Sequence, residues 1–250
     1  MKLTRLVTMF IAVICITGTL VVSAEDESES FLPEPLGLLD YEAGVDLNSK
    51  YIWRGQTLVD GFVVQPTATI GYKWFSLNWW ANYDADRTDD LSPTREWTES
   101  DFTADITFDL GFINEELEKI SLSGGYIYYD FPNADSDSQE FYGGISVDVI
   151  LAPYFTVYHD FDDGDGTYLE WGLGHSFELE PVSINLGASM GYNDKQWGYE
   201  GSFTSTLLSL SVTVPVGEYF AIEPHISESI AMDSQYTDEF FAGCSFTLNF

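Results

Sequence analysis

Acidic side chains recur at even-numbered spacings in several stretches of this 250-residue chain. Asp101, Asp105 and Asp109 are four residues apart, and they share one face of a β-strand because residues i, i+2 and i+4 lie on the same side. Carboxylates that line a pore attract cations and repel anions. Alternatively, the carboxylates only keep a polar surface solvated. The predicted lumen-facing acidic set is Asp46, Asp84, Asp101, Asp105, Asp109, Glu140, Asp148, Asp160, Glu170, Glu223 and Glu239, and the basic set is Lys50 and Arg54, with Lys73 as a third candidate.

A second arrangement could support hydrolysis. Glu223, His225 and Ser227 alternate along one stretch, as a serine nucleophile with a carboxylate-oriented base requires. Apolar residues occupy the intervening positions, so the three polar side chains are predicted to point into a lumen, away from lipid. His159 and His175 lie on the apolar face without such partners and are interpreted as structural. A lipid hydrolase or deacylase is therefore a less favoured alternative, and we assign no catalytic residue.

An acidic run at residues 162–166, with the sequence Asp-Asp-Gly-Asp-Gly, could offer oxygen ligands to Ca²⁺. It lacks the spaced ligands and the distal Glu of an EF-hand loop. We interpret it as an acidic turn, although the sequence leaves divalent-cation binding by the acidic loops open. No metal site and no cofactor are predicted.

Alternation of polar and apolar residues runs almost everywhere from Tyr41 to Phe250, although segment 120–130 has mixed faces, and it determines where these groups lie. Each alternating segment approaches the length of about 9–11 residues that a tilted membrane strand needs. The pattern predicts an all-β fold, an antiparallel transmembrane β-barrel of 12 strands. The segments lie near 45–54, 62–72, 75–84, 101–110, 120–130, 140–149, 154–161, 167–178, 182–192, 203–214, 219–228 and 239–250.

The first segment is predicted to continue through Arg54, with Lys50 and Arg54 facing the lumen. Its opposite, lipid-facing side then carries Val45, Leu47, Tyr51 and Trp53. Aromatic residues make up 16% of the chain, which suits the aromatic girdles of a membrane barrel. Pro66 and Pro224 fall inside predicted strands, where each removes a donor from the hydrogen-bond ladder.

Connector lengths distinguish a membrane barrel from a soluble β-sandwich, which would also alternate. An outer-membrane barrel has short periplasmic turns on one rim and longer extracellular loops on the other. With 12 strands, both ends of the barrel are predicted to lie on the periplasmic side. The mostly short links are 73–74, 113–119, 152–153, 179–181 and 215–218, and the polar ones are 55–61, 85–97, 131–138, 162–166, 193–201 and 229–238.

The N-terminal residues 1–24 are predicted to be a secretory signal peptide, with Lys2 and Arg5, an apolar run and the sequence Val-Ser-Ala before cleavage. Residues 25–40 form an acidic periplasmic lead-in, and residues 41–250 form the barrel. The formal net charge of −32 becomes 7 − 41 = −34 after cleavage, which excludes nucleic acid as a partner. Cleavage also removes Cys15 and leaves Cys244 without an intrachain disulfide partner.

The opening of the barrel resembles a known family. Residues 49–55, with the sequence Ser-Lys-Tyr-Ile-Trp-Arg-Gly, are followed by Asp-Gly at 60–61, Gln-Pro at 65–66 and Gly-Tyr at 71–72. This motif resembles the opening hairpin of TorF-type porins and related uncharacterised bacterial outer-membrane β-barrel proteins. The resemblance implies the fold and a location in the outer membrane more than it implies transport.

The C-terminus resembles the insertion signal of outer-membrane barrels, through Gly243, Phe246, Leu248 and terminal Phe250. This resemblance implies that the barrel-assembly machinery and outer-membrane lipid are partners, in a Gram-negative-type bacterium. The sequence as a whole favours a porin-like channel, not an enzyme, through which small cationic or neutral solutes diffuse. A structural or adhesive barrel without an open pore is the main alternative, and the sequence specifies neither the solute nor the oligomeric state.

Overall fold

A computed structural model of the chain describes residues 38–86 and 95–250. The predicted signal peptide, most of the predicted lead-in and residues 87–94 lie outside the described residues. No helix within the described ranges is long and apolar enough to cross a membrane. The first strand begins at Asp40, one residue before the predicted start of the barrel.

Twelve antiparallel strands close into a barrel, which confirms the predicted fold. Each strand pairs with its sequence neighbour, except that β1 pairs with β4 on one side and with β14 on the other. Strands β2 and β3 form a separate two-stranded sheet. The strands are β1 Asp40–Asn48, β2 Tyr51–Trp53, β3 Gln56–Val59, β4 Val63–Tyr72, β5 Phe75–Asp84, β6 Glu96–Asp109, β7 Ile120–Asp130, β8 Ser138–Val147, β9 Tyr154–Asp160, β10 Gly166–Leu179, β11 Val182–Asp194, β12 Ser202–Val216, β13 Phe220–Ala231 and β14 Glu239–Asn249.

Polar side chains fill the inside of this barrel and apolar side chains cover its outside. On β8, Glu140 is 0% exposed whereas its neighbour Phe141 is 56% exposed. Asn82 and Asn193 are fully buried in the same way, and Leu186 faces outward. An apolar exterior with every strand edge paired is the arrangement that a lipid bilayer requires. The chain is therefore a multi-pass transmembrane β-barrel.

The two rims differ in their connections. Three of the five links on the rim that holds both barrel ends are two or three residues long, but the link at 110–119 is longer than predicted and contains two 3₁₀ turns. We call this side the turn rim and the opposite side the loop rim. Links at the loop rim are 49–62, 85–95, 131–137, 161–165, 195–201 and 232–238. The periplasmic placement of the turn rim remains a prediction.

Both in-strand prolines occupy positions where the ladder is already interrupted. Pro66 pairs with Val45 on β1, but the register between β4 and β5 skips its position. Pro224 pairs with Cys244 on β14, and the register between β13 and β12 skips its position too. Each proline therefore lies where the ladder on one side is open, which is a position that tolerates a residue without an N–H.

The predicted course of the first segment is wrong beyond Asn48. Strand β1 ends at that residue, and the chain from 49 to 62 turns inward to form the β2–β3 hairpin. Tyr51 and Trp53 were expected to face lipid, yet Tyr51 is buried against the Trp80 ring of β5, with ring centroids 5.4 Å apart. Trp53 packs edge-on against Tyr129 of β7.

Barrel closure leads to a prediction for the purified protein. Because the barrel has no free edge from which to unravel, folded protein in detergent should migrate differently on a gel before and after boiling. Densitometry of paired samples measures the fraction that shifts. Identical migration in both samples, together with absence from the membrane fraction, would contradict the transmembrane barrel.

Candidate functional site

A tight turn forms the tip of the β2–β3 hairpin. Trp53 pairs with Gln56 across a two-residue loop of Arg54 and Gly55, and both loop residues have positive φ, 51° and 81°. Two positive φ values define the type I′ turn favoured by hairpins. Gly55 adopts a positive φ freely. For a non-glycine residue such as Arg54, the same backbone conformation costs of order 1–3 kcal/mol. The contacts of Arg54 must therefore hold it in place.

The hairpin crosses the barrel lumen from one wall to the other. Strand β9 lies six strands from β1 in either direction around the ring, so it is the wall diametrically opposite the hairpin's base. The Arg54 guanidinium lies 4.3 Å from the Tyr158 ring centroid on β9 and 4.6 Å from that of Tyr168 on β10. Both tyrosines sit two positions in from the loop-rim ends of their strands. The hairpin thus spans the lumen just inside the loop rim.

Arg54 is held on that far wall by a charge pair. Its Nη1 and Nη2 atoms donate to the two carboxylate oxygens of Glu140 at 2.7 and 2.8 Å, and Nη1 also donates to Gln196 at 2.7 Å. The side chains are 7% exposed for Arg54 and 0% for Glu140. Burial opposes the charged form, but the hydrogen bond to Glu140 and the electrostatic attraction of the surrounding acidic groups together outweigh it, so the pKa of Arg54 is raised above its usual value.

The groups around this pair are themselves hydrogen-bonded. The Gln196 amide donates to Glu140 at 2.7 Å, and the Tyr129 hydroxyl donates to the same carboxylate at 3.0 Å. The backbone of Gln196 is fixed by the Asn193 side chain at 2.8 Å. A buried pair whose members are all satisfied is rigid, and removing one partner costs about 3–5 kcal/mol. We call Glu140, Tyr158, Tyr168 and Gln196 the Arg54 seat.

A second ion-pair group ties down the base of the hairpin. Lys50, just before β2, bonds to Asp60, just after β3, at 2.8 Å and to Glu239 of β14 at 2.7 Å. Hydrogen bonds to Asp60 and Glu239 raise the pKa of Lys50. Lys50 and Arg54 therefore lie inside the barrel, as predicted, but they belong to the inward-turned segment at 49–62 and not to a wall strand. Lys50 pairs with two carboxylates and Arg54 with one.

The hairpin covers a cavity of about 370 Å³ inside the barrel. Its wall residues Thr103, Ile127 and Glu170 lie further toward the turn rim than the residues that contact the hairpin. The cavity therefore lies on the turn-rim side of the hairpin. It is lined by Tyr51, Ile52, Trp53, Arg54, Trp80, Asp101, Thr103, Ile127, Tyr129, Tyr158 and Glu170.

Several of the predicted acidic residues face this interior. Asp101 and Glu170 line the cavity, and Glu170 accepts a hydrogen bond from Tyr154 at 2.8 Å. Asp105 accepts from the Tyr142 hydroxyl. The Ser138 hydroxyl lies 2.8 Å from both carboxylate oxygens of the buried Asp160 and donates its one hydrogen bond to that carboxylate. Asp46 and Asp84 share the faces of their strands with the buried Asn48 and Asn82.

The structure places two other predicted residues at the turn rim instead of along the lumen. Asp109 is the exposed last residue of β6, and its side chain accepts from the Gly111 backbone at 2.8 Å. Asp148 follows the end of β8 in an exposed turn, so its predicted place on a strand is wrong. Alternation marked the correct face, but the predicted strands extended too far.

The possible hydrolytic arrangement is not assembled. His225 Nε2 lies 2.8 Å from the Asn48 side-chain oxygen, and its Nδ1 lies 3.3 Å from the backbone oxygen of Glu223. The Glu223 carboxylate instead accepts from Thr213. Ser227 is buried on the same lumen face, but the imidazole is oriented by Asn48 and not by a carboxylate.

The contact between His225 and Asn48 passes over Gly243. A Cβ at Gly243 would lie 2.1 Å from the Asn48 oxygen and 2.4 Å from His225 Nε2, so only glycine leaves room for the contact. The other members of the predicted insertion signal differ in position. Leu248 and Phe250 are exposed, and Phe246 pairs with Val45 on β1 and Ile222 on β13.

Neither protein-family profiles nor curated protein sequences match the chain. Among solved structures, an outer-membrane channel from Pseudomonas putida F1 is similar over 90% of this chain and 100% of that one, with 9% identity and a TM-score of 0.53. The chain has an outer-membrane β-barrel fold. The NanC porin has a TM-score of 0.49 at 9% identity, covering 85% of this chain and 98% of that one. Phospholipase A from Escherichia coli has a TM-score of 0.46 at 10% identity, covering 84% of this chain and 96% of that one. At such identities the likeness concerns the fold alone.

Sequence reasoning missed the hairpin and its seat, although one local signal was present. Arg54-Gly55 stands between the short segments Tyr51–Trp53 and Gln56–Val59, and a glycine at the second loop position favours a type I′ hairpin. The partners of Arg54 lie far along the chain, with Glu140 separated by 86 residues and Gln196 by 142. No local pattern points to them.

Proposed function

We propose that the barrel is a porin-like channel through which small cationic or neutral solutes diffuse passively. The observation that carries the proposal is the unbalanced negative charge of the interior. Among the described residues, the ion pairs are Lys50 with Asp60 and Glu239, and Arg54 with Glu140. The other inward carboxylates, such as Asp101 and Glu170, have no cationic partner there. Uncompensated carboxylates in a pore favour cations.

The size of the lumen supports small solutes. A barrel of 12 strands has an interior between that of a filled eight-stranded barrel and an open sixteen-stranded porin. The hairpin narrows it further, since its tip reaches the opposite wall. The motif that resembles TorF-type porins contains this hairpin, and we propose membership of that family as part of the same interpretation.

A structural or adhesive barrel without an open pore is the second candidate, and the docked hairpin is the observation that favours it. We propose no enzymatic activity, because the imidazole of His225 bonds to Asn48 and the Glu223 carboxylate bonds elsewhere. As partners we propose outer-membrane lipid, the barrel-assembly machinery and small solutes.

Ion selectivity of the refolded protein in planar bilayers tests the proposal. The parent should prefer cations in a salt gradient, and Asp101→Asn should reduce that preference because it removes an interior charge. Asp109→Asn is the matched control on the same strand. Its carboxylate is exposed at the rim, where bulk salt screens it over about 10 Å at 0.1 M, so its effect should be small.

The outcomes separate the candidates. A conducting parent that prefers anions contradicts the electrostatic argument, and equal effects of the two substitutions contradict the role given to Asp101. A folded parent without conductance supports the closed barrel.

A further inference from the structure

The cavity beneath the hairpin combines carboxylates with aromatic rings. Asp101 on β6 and Glu170 on β10 line it from different walls, and Tyr51 and Trp80 add aromatic surfaces. Its volume of about 370 Å³ lies within the range of about 300–1,000 Å³ typical of small-molecule sites. Ile52 and Ile127 make part of the lining apolar, which suits an organic ligand better than a hydrated metal ion.

Asp101 has unused capacity to accept a ligand. Its Oδ1 atom is buried and, among the described residues, has no hydrogen-bond partner. The ion pairs of the described chain do not include Asp101, and the neighbouring carboxylates Glu99 and Asp130 add negative potential. Burying a carboxylate without a partner is unfavourable, so a cation in the cavity would stabilise it.

Arg54 lines the cavity but does not compensate Asp101. Its charge is matched by both oxygens of Glu140, and the rings of Trp53, Tyr158 and Tyr168 lie 4.3 to 4.6 Å from its guanidinium carbon. The Arg54 seat also demonstrates how this interior holds an organic cation, by one carboxylate together with aromatic faces. Asp101 and Trp80 present the same two components in the open part of the cavity.

We propose that this cavity binds a small organic ammonium compound, with Asp101 as the counter-charge and Trp80 as an aromatic wall. The inference deepens the proposed function by naming the class of solute, and it rests on that function only for its role in permeation. Binding itself can be measured without conductance.

Isothermal titration calorimetry tests the site. The folded protein in detergent is titrated with choline and, separately, with the neutral isostere of choline, 3,3-dimethyl-1-butanol. Choline should bind at least about ten-fold more tightly than the alcohol, because only choline carries the charge. Asp101→Asn should weaken choline binding about ten-fold without changing the alcohol. Trp80→Leu should weaken choline as well, and Asp109→Asn should leave it unchanged. The gel shift on boiling verifies that each variant is folded.

The proposal is overturned if choline does not bind, if the alcohol binds as tightly, or if folded Asp101→Asn and Trp80→Leu both bind choline like the parent. It is also overturned if sodium displaces choline at equal concentration, since the site would then be one for inorganic cations. Choline binding by a protein that does not conduct would contradict the channel and leave the site standing. A conducting protein that does not bind choline would contradict the binding site and leave the channel standing.

Discussion

Replacing Arg54 by Ala is expected to raise the single-channel conductance of the barrel several-fold. The substitution removes two hydrogen bonds to Glu140 and leaves that carboxylate buried without its cation, which costs about 3–5 kcal/mol. A loss of this size shifts a two-state equilibrium by two orders of magnitude or more, at about 1.4 kcal/mol for each factor of ten. The hairpin should then leave the Arg54 seat and open the lumen. Planar-bilayer recording measures the change.

Two further variants make this result specific. Lys73→Asn removes one positive charge at a turn-rim position with φ of 58°, a conformation that Asn tolerates, and should leave conductance unchanged. Arg54→Lys keeps the charge but cannot form both bonds to Glu140, so an intermediate conductance is expected. If Arg54→Ala conducts like the parent, the hairpin is not the constriction.

Replacing Phe246, Leu248 and Phe250 together by Ser is expected to abolish assembly in the membrane. Phe246 and Leu248 lie on β14, which closes the barrel against β1, and Phe250 directly follows it and exchanges backbone hydrogen bonds with Tyr41 at 2.9 and 3.2 Å. The Phe250 ring also stacks on Tyr219 at 5.9 Å. The protein should remain periplasmic and be degraded, because β14 carries both the closing seam and the predicted insertion signal. Cell fractionation followed by gel-shift analysis measures the outcome.

The matched control places the same three changes on another strand. Leu169, Leu173 and Phe177 on β10 have the outward parity of their strand and lie away from the seam, and Leu173 and Phe177 are exposed. Replacing these three by Ser reduces lipid contact by a comparable amount, so assembly should weaken without disappearing. Equal loss of assembly in both variants would show that apolar surface alone explains the effect. Normal assembly of the β14 variant would contradict the predicted insertion signal.

The barrel wall could be predicted because alternation encodes which side each residue faces. Glu140 and Phe141 illustrate this, since one is fully buried and the next is largely exposed. Parity likewise placed Asp101 and Glu170 inside. Strand ends were less predictable, as Asp148 shows, because alternation continues into turns where the ladder has already stopped.

The hairpin could not be predicted from alternation, because the pattern continues past the end of β1 with only Ser49 and Ile52 out of phase. Tyr51 and Trp53 are compatible with lipid contact and equally with aromatic packing inside the lumen. Only the partners distinguish these environments, and Trp80, Tyr129 and Glu140 belong to other strands. Their proximity depends on strand register and barrel closure, which sequence spacing does not determine.

The position of the Arg54 seat has a consequence for biogenesis. Its members come from β8, β9, β10 and the link after β11, whereas Arg54 follows the first strand of the ring. Glu140 and Gln196 lie across the lumen from the base of the hairpin only when the wall is complete and curved, and until then Arg54 lacks the acceptors that would offset its loss of water. Docking of the hairpin therefore belongs to the end of assembly. A ring that lacked a strand or paired out of order would move β9 from its place opposite β1, and Arg54 would stay in solvent, so the docked hairpin marks a correctly finished barrel.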